Sequence, residues 1–120
     1  MTLVLGKQGR IDEALAYNLQ ALRVAPRNVR ALVNLGNIRA RQGHPDQARS
    51  AYEQALRFNP LDSDAHLNLG LVLLGQGRSG EAEAHLIEAL RLNPDAARAQ
   101  LVLEDLRRRR RPASPRDPPW

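Results

Sequence analysis

The sequence predicts an all-α fold, an α-solenoid of stacked helical repeats, and three observations predict it. First, a short phrase recurs at a spacing of 34 residues: Glu13-Ala14-Leu15…Ala21-Leu22-Arg23…Pro26, then Gln47-Ala48-Arg49…Ala55-Leu56-Arg57…Pro60, then Glu81-Ala82-Glu83…Ala89-Leu90-Arg91…Pro94. Second, a Gln-Gly pair leads in each copy, at Gln8-Gly9, Gln42-Gly43 and Gln76-Gly77. A fixed period of this length marks an array in which each unit buries its apolar face only against its neighbours. Third, 42% of the 120 residues are apolar but only 3% are aromatic. The core is therefore built from Leu, Ala and Val, which suits close-packed helices better than a sheet. A generic amphipathic bundle would explain the helices but has no reason for a common period.

Each element follows from its punctuation. The chain starts eight residues before Gly9, so Leu3, Val4 and Leu5 are expected to be the stub of a leading helix, followed by a helix over Ile11 to Val24. Val29 to Arg41 has helical spacing, with Leu32, Leu35, Gly36 and Ile38 on its packing side. Gln42-Gly43-His44 breaks it, since glycine ends a helix cheaply in a left-handed turn. Pro45 sits where a first turn tolerates it, and Pro45 to Phe58 forms the partner helix. Asn59-Pro60 stops that helix. Asp62 or Ser63 caps the next, which runs to about Leu74. Ser79 is expected to cap a helix reaching about Leu92, with Glu81 and Glu83 in its first turn, where the helix dipole favours them. Asp95 opens a last helix, Ala96 to about Arg109, and Pro112, Pro115, Pro118 and Pro119 end regular structure. The array is thus expected over residues 1–106, with repeats at about 1–28, 29–62 and 63–96 and a capping helix over 96–109. Residues 107–120 are expected to be a disordered Arg- and Pro-rich tail. Gly36, Gly70 and the recurring alanines (Ala14, Ala48, Ala82; Ala21, Ala55, Ala89) let backbones approach closely, while Leu32, Leu35, Tyr52, Phe58, Leu69 and Leu86 fill the remaining space.

The net charge of +5 is unevenly spread. Residues 1–60 hold nine basic and four acidic side chains, residues 61–106 three and eight, and residues 107–120 six and one. The folded part is neutral but polarised end to end. No cysteine is present, which removes disulfides, thiolate metal sites and thiol nucleophiles and fits a reducing compartment. The longest apolar stretch, Leu67 to Gly75, is far below the ~20 residues that span a bilayer. Met1 to Leu5 lacks the features of a secretory signal. A cytoplasmic location is the expectation, with the periplasm as the alternative.

Asn34 and Asn68 lie one period apart in Asn34-Leu35-Gly36 and Asn68-Leu69-Gly70, and Asn37 lies a helical turn beyond Asn34 on the same face. Asparagine supplies both donor and acceptor, so a ladder of them can bond the backbone of an extended peptide; the plainer alternative is asparagine that bonds water.

Taken together, Leu32…Leu35-Gly36…Ala48…Tyr52…Ala55…Pro60 and His66…Leu69-Gly70…Ala82…Leu86…Ala89…Pro94 resemble the tetratricopeptide-repeat (TPR) family. Leu32 replaces the family's frequent Trp, and Arg39 a Tyr. The resemblance implies antiparallel helix pairs in a right-handed superhelix, with the first helix of each pair lining a concave groove. It assigns the asparagine ladder to that groove, as in O-linked N-acetylglucosamine transferases. Arg30, Val33, Leu67, Leu71, Arg98 and Leu101 would share the concave side, a mixture suited to a peptide with apolar anchors and some acidic residues. Chaperone-tail-binding members grip a terminal carboxylate with two Asn and three basic residues. Asn37, Asn68 and Arg98 match three of those places, while Val33 and Val102 stand where basic residues should. Asn18 stands where the family prefers a bulky residue, and the adjacent Tyr17 is expected to compensate. The first repeat lacks most of its leading helix, leaving an under-covered apolar edge, so the expectation is either a piece of a longer array or an edge that meets another chain, a second copy included.

The expected function is a protein-interaction module that binds an extended or helical peptide. Two alternatives stand beside it: a targeting segment of a larger enzyme such as a glycosyltransferase-like protein, and a nucleic-acid or anionic-membrane tether using Arg107 to Arg111. Catalysis, cofactors and metals find no support. His44, His66 and His85 include no i, i+4 pair, and Asp62, Asp64 and His66 are explained by capping.

Overall fold

The computed structural model describes residues 3–110, with side chains described from 9 to 109. The part of the expected tail beyond Arg110 lies outside the described residues. The chain forms α1 (Leu3–Val24), α2 (Val29–Arg41), α3 (Pro45–Phe58), α4 (Ser63–Gly75), α5 (Ser79–Leu92) and α6 (Ala97–Arg110). Among the described residues there is no strand, and no helix is long and apolar enough to cross a membrane.

The helices pack in chain order, each chiefly against the one before and the one after. α2 with α3 and α4 with α5 form the closest pairs. The result is elongated, 57 × 38 × 24 Å, with a radius of gyration of 17.1 Å. A compact domain of this length would have a radius near ~13–14 Å. This is the all-α solenoid that the period predicts.

Two turns repeat. After α2, Gly43 takes φ +80, its N–H donates to Ala40 O at 3.1 Å, and His44 N–H donates to Arg39 O at 2.9 Å. After α4, Gly77 takes φ +78, its N–H donates to Leu74 O at 3.1 Å, and Arg78 N–H donates to Leu73 O at 2.9 Å. Both satisfy the last helical carbonyls and reverse the chain in three residues. The other connections also match. Asn59 and Asn93 accept from the backbone N–H two residues on, Leu61 and Asp95, each at 3.2 Å, before the next first-position helix.

Helix starts depart from expectation in part. Asp62 caps α4 through Ala65 N–H at 3.0 Å, and Asn28, which carried no sequence expectation, caps α2 through Ala31 N–H at 3.1 Å. Ser79 does not cap α5. It is the first helical residue, and the N-cap position is Arg78, which makes no side-chain capping bond. Ser63 does act across the array, its hydroxyl donating to Ala89 O at 3.0 Å and satisfying a carbonyl near the end of α5.

The core is two clusters. Leu32, Val33, Ala48, Tyr52, Ala55, Ala65, Leu69, Leu73 and Ala82 form one, and Leu86, Ala89, Ala99, Leu103 and Leu106 the other, with Leu74 packed against both. Ala48, Ala55, Ala82 and Ala89 are fully buried at the close approaches expected of them. Ala14 and Ala21 are only half-buried, because α1 is covered on one side alone.

Three expectations for the first repeat and its neighbour need correction. Gly9 makes no break; α1 runs through it. Tyr17 does not compensate for Asn18, since it is 80% exposed, while Asn18 Nδ2–H donates back to Ala14 O at 3.0 Å. Phe58 is not a core residue. It is 44% exposed at the end of α3, with the Arg27 guanidinium 5.7 Å above its ring.

Candidate binding groove

The first helix of each pair and α6 lie side by side, and a hollow of about 640 Å³ opens between them. Asn37, Ala40 and Arg41 of α2 form one wall, Asn68, Leu71, Val72 and Gly75 of α4 the floor, and Arg98 of α6 the far side, with Pro45 and Tyr52 of α3 closing it from behind. A smaller hollow of about 320 Å³ continues toward α1, lined by Ala14, Asn18, Asn34, Asn37, Ile38 and Arg41. Asn37 and Arg41 belong to both, so the two hollows form one groove.

Four of the residues singled out in the sequence meet in the larger hollow: Asn37, Asn68, Leu71 and Arg98. Asn34 lies in the smaller one. The remaining four lie elsewhere, Leu101 among them, exposed on α6 outside both hollows. Arg30 sits a turn above, in an exposed ion pair with Asp64 at 3.7 Å that joins the starts of α2 and α4. Leu67 packs against the second core cluster. Val33 is a correction, because it is 2% exposed and part of the first cluster, so no ligand can reach it. With neighbours on both sides, α2 leaves only a narrow stripe uncovered, and position 33 falls inside its edge.

Two groove residues were missed. Arg41 adds a second guanidinium to that of Arg98, and no carboxylate is found among the residues described as lining the larger hollow. The groove is therefore cationic and rich in donors. Tyr52 was read as a space-filler, but its hydroxyl donates to Asn37 Oδ1 at 2.5 Å. Burial pushes the Tyr52 hydroxyl up to about 12, with Arg98 pulling weakly the other way, so it stays protonated as a donor. Gly36 makes room for this ring: a Cβ there would lie 2.3 Å from Tyr52 Cε1. At the edge of the hollow, Gln76 Nε2–H donates to Asp46 Oδ1 at 2.8 Å, tying the end of α4 to the start of α3.

Behind the groove, the structure joins two histidines that have no local spacing in sequence. His66 of α4 and His85 of α5 have ring centroids 5.3 Å apart and Nδ1 atoms at 3.0 Å. His66 Nε2 is 2.8 Å from Pro60 O, which can only accept, so this nitrogen carries a proton. With both rings neutral, His85 Nδ1–H then donates to His66 Nδ1. Burial, and secondarily the facing His66, hold His85 below its ordinary value of 6.5, against the opposing pull of Glu81 and Glu53. The native state therefore binds fewer protons than the unfolded chain. The stability that neutral His85 contributes is full above 6.5 and is lost as pH falls below it. Melting followed by circular dichroism should show a Tm that is level from about pH 8 to 7 and falls toward about pH 5, with a shallower fall in His85→Gln. Equal slopes in the two proteins would assign the effect to other groups. Among the described residues, no three His, Asp or Glu side chains come together as metal ligands.

α6 ends in exposed Arg107, Arg108 and Arg109, the last paired with Asp105 at 3.1 Å.

A family model described as tetratricopeptide repeat matches residues 33–97 and 70–111, and a second of the same description matches residues 3–60. No curated protein sequence matches significantly. Solved structures with the same fold include the first TPR of Spaghetti (RPAP3) bound to the HSP90 peptide SRMEEVD, with a TM-score of 0.80 and 22% identity over 86% of this chain and 82% of that one. The Yersinia enterocolitica type III secretion chaperone SycD, in complex with a peptide of the translocator YopD, has a TM-score of 0.79 and 20% identity over 88% and 86%. A Thermobaculum terrenum O-GlcNAc transferase mutant has a TM-score of 0.69 and 27% identity over 83% of this chain but 22% of that one.

Proposed function

Because this chain belongs to the tetratricopeptide-repeat family, we propose that it is a protein-interaction module that binds an extended or helical peptide segment in the groove between α2, α4 and α6. One observation carries the reading: donors of Asn37, Asn68, Arg41 and Arg98 converge with the apolar side of Leu71 on a single hollow of about 640 Å³. Polar groups that orient a ligand, set beside an apolar surface that it covers, are what a peptide site requires. The helices hold these groups in place beforehand, so little freedom is lost on binding. Two of the similar structures hold peptides, which supports the reading by analogy. The groove serves as a binding surface and the segment is not itself an enzyme.

Replacing Asn34 and Asn68 together by Ala removes two groove amides that have no protein partner among the described residues. Peptide affinity should fall about tenfold or more, at ~1 kcal/mol or so per hydrogen bond, with helicity and Tm unchanged. A ligand captured from lysate by the wild type and bound equally well by the double variant would defeat the reading.

A second reading rests on the transferase, of which this fold occupies about a fifth: the chain as the substrate-selecting part of a larger enzyme. It uses the same groove, and the Asn34/Asn68 variant would then reduce modification of protein substrates without affecting that of a free acceptor sugar or peptide too short to fill the groove.

A further inference from the structure

We propose that Tyr52 is a positioning residue that sets the polarity of the groove: by donating to Asn37 Oδ1 it fixes the amide with Nδ2–H as the end offered to the ligand, so that the ligand group opposite that end is an oxygen acceptor. The inference rests on the peptide-groove reading and adds to it the atom that chooses what the peptide presents there.

An asparagine amide is ambivalent, because turning it by half a revolution exchanges a donor for an acceptor at nearly no cost in shape. Asn34 and Asn68 retain that ambivalence, with no protein partner on either end among the described residues. Asn37 does not. Its contact with Tyr52 is 2.5 Å, a separation that suits O–H···O and is too short for N–H···O. The oxygen therefore faces Tyr52, which leaves Nδ2 as the end of the amide with no protein partner among the described residues. Tyr52 is itself unable to move aside: it is 2% exposed, and its ring lies directly over Gly36. Asn37 belongs to both hollows, so its fixed amide stands at the centre of the groove. Arg41 and Arg98, which have no acceptor atoms, line the same space. Three donor groups thus line one space, and a ligand N–H placed against Asn37 Nδ2 would meet another N–H. The acceptor on the ligand is a peptide carbonyl or a side-chain carboxylate.

The test needs a peptide, and a random dodecapeptide phage library panned on the immobilised wild-type protein supplies one; selected sequences are synthesised and their Kd values measured by anisotropy. Tyr52→Phe keeps the ring over Gly36 but frees the Asn37 amide to turn. Asn37→Asp keeps an acceptor for Tyr52 but withdraws the donors. We expect Tyr52→Phe to weaken the selected peptides about fivefold to tenfold and Asn37→Asp by more than tenfold. The Tyr52→Phe loss should vanish in an Asn37→Ala background, a coupling that a purely structural role for the hydroxyl would not produce. Replacing each Glu and Asp of the peptide by Gln and Asn separates the two sources: a further loss identifies a carboxylate, no loss a main-chain carbonyl. Unchanged affinity in Tyr52→Phe, or a loss that persists without Asn37, overturns the inference and leaves the groove reading standing. Failure to select any peptide whose binding the Asn34/Asn68 double variant weakens overturns the groove reading, and this inference with it.

Discussion

Gly36→Ala should be the most damaging small change in the protein, lowering its stability by ~3 kcal/mol or more. The added methyl would lie 2.3, 2.6 and 2.7 Å from Cε1, Cδ1 and Cζ of Tyr52. A flexible neighbour could yield, but this ring is 2% exposed among Leu32, Ala48, Leu69 and Ala82, and its hydroxyl is tied to Asn37. Either the ring leaves the core or α2 lifts from α3. Gly70 occupies the equivalent place one period on and provides the control. A Cβ there would meet Leu86 Cγ at 3.0 Å and Ala82 O at 3.2 Å, a shortfall of a few tenths of an ångström. Gly70→Ala should therefore cost less. In thermal melts Gly36→Ala should lose upward of about 10 °C and Gly70→Ala clearly less. Equal losses would mean that the close approach of paired helices in general, and not the Tyr52 contact, controls both.

Leu86→Ala is the second large effect, at about 2–5 kcal/mol. Leu86 is fully buried, and its side chain links Gly70 on α4 to Ala89, Ala99, Leu103 and Leu106. Removing it empties the centre of the smaller core cluster, and small neighbours such as Ala89 and Ala99 cannot grow into the space. Urea unfolding followed by circular dichroism should show a midpoint well below that of the wild type. Because the first cluster keeps its own contacts, the transition should also broaden, with α5 and α6 releasing before α2 and α3. A sharp single transition with an unchanged slope would show that the two clusters unfold as one.

Most of the helical layout was legible because punctuation and period agree. α2 and α3 lie where Gly43, Pro45 and Asn59-Pro60 place them, and Ala48, Ala55, Ala82 and Ala89 are buried where their recurrence requires. What failed depends on neighbours rather than on the local chain. Gly9 has the sequence of a turn, but α1 continues through it. Phe58 has the composition of a core residue but falls on the last turn of α3, where Arg27 covers it only from one side. Val33 shares its helix face with groove residues by spacing, but the depth at which α2 sits between α1 and α3 decides that it is buried. The asparagine positions could be listed from spacing, since repeats put them on one side. The bond between Tyr52 and Asn37 joins residues 15 apart on different helices, and that between His66 and His85 residues 19 apart. No helical periodicity relates such pairs. They appear only once the helices are docked.

The paired turns at Gly43 and Gly77, with the same left-handed glycine and the same two backbone bonds, make the chain commensurate with itself. The rotation and rise that carry the first hairpin onto the second can be applied again without a new kind of joint. Length is then a free variable: splicing in one more period would extend the channel by one more set of wall residues, leaving the existing walls in register. A molecule built this way meets a longer partner by counting, and its recognition can be edited one tile at a time.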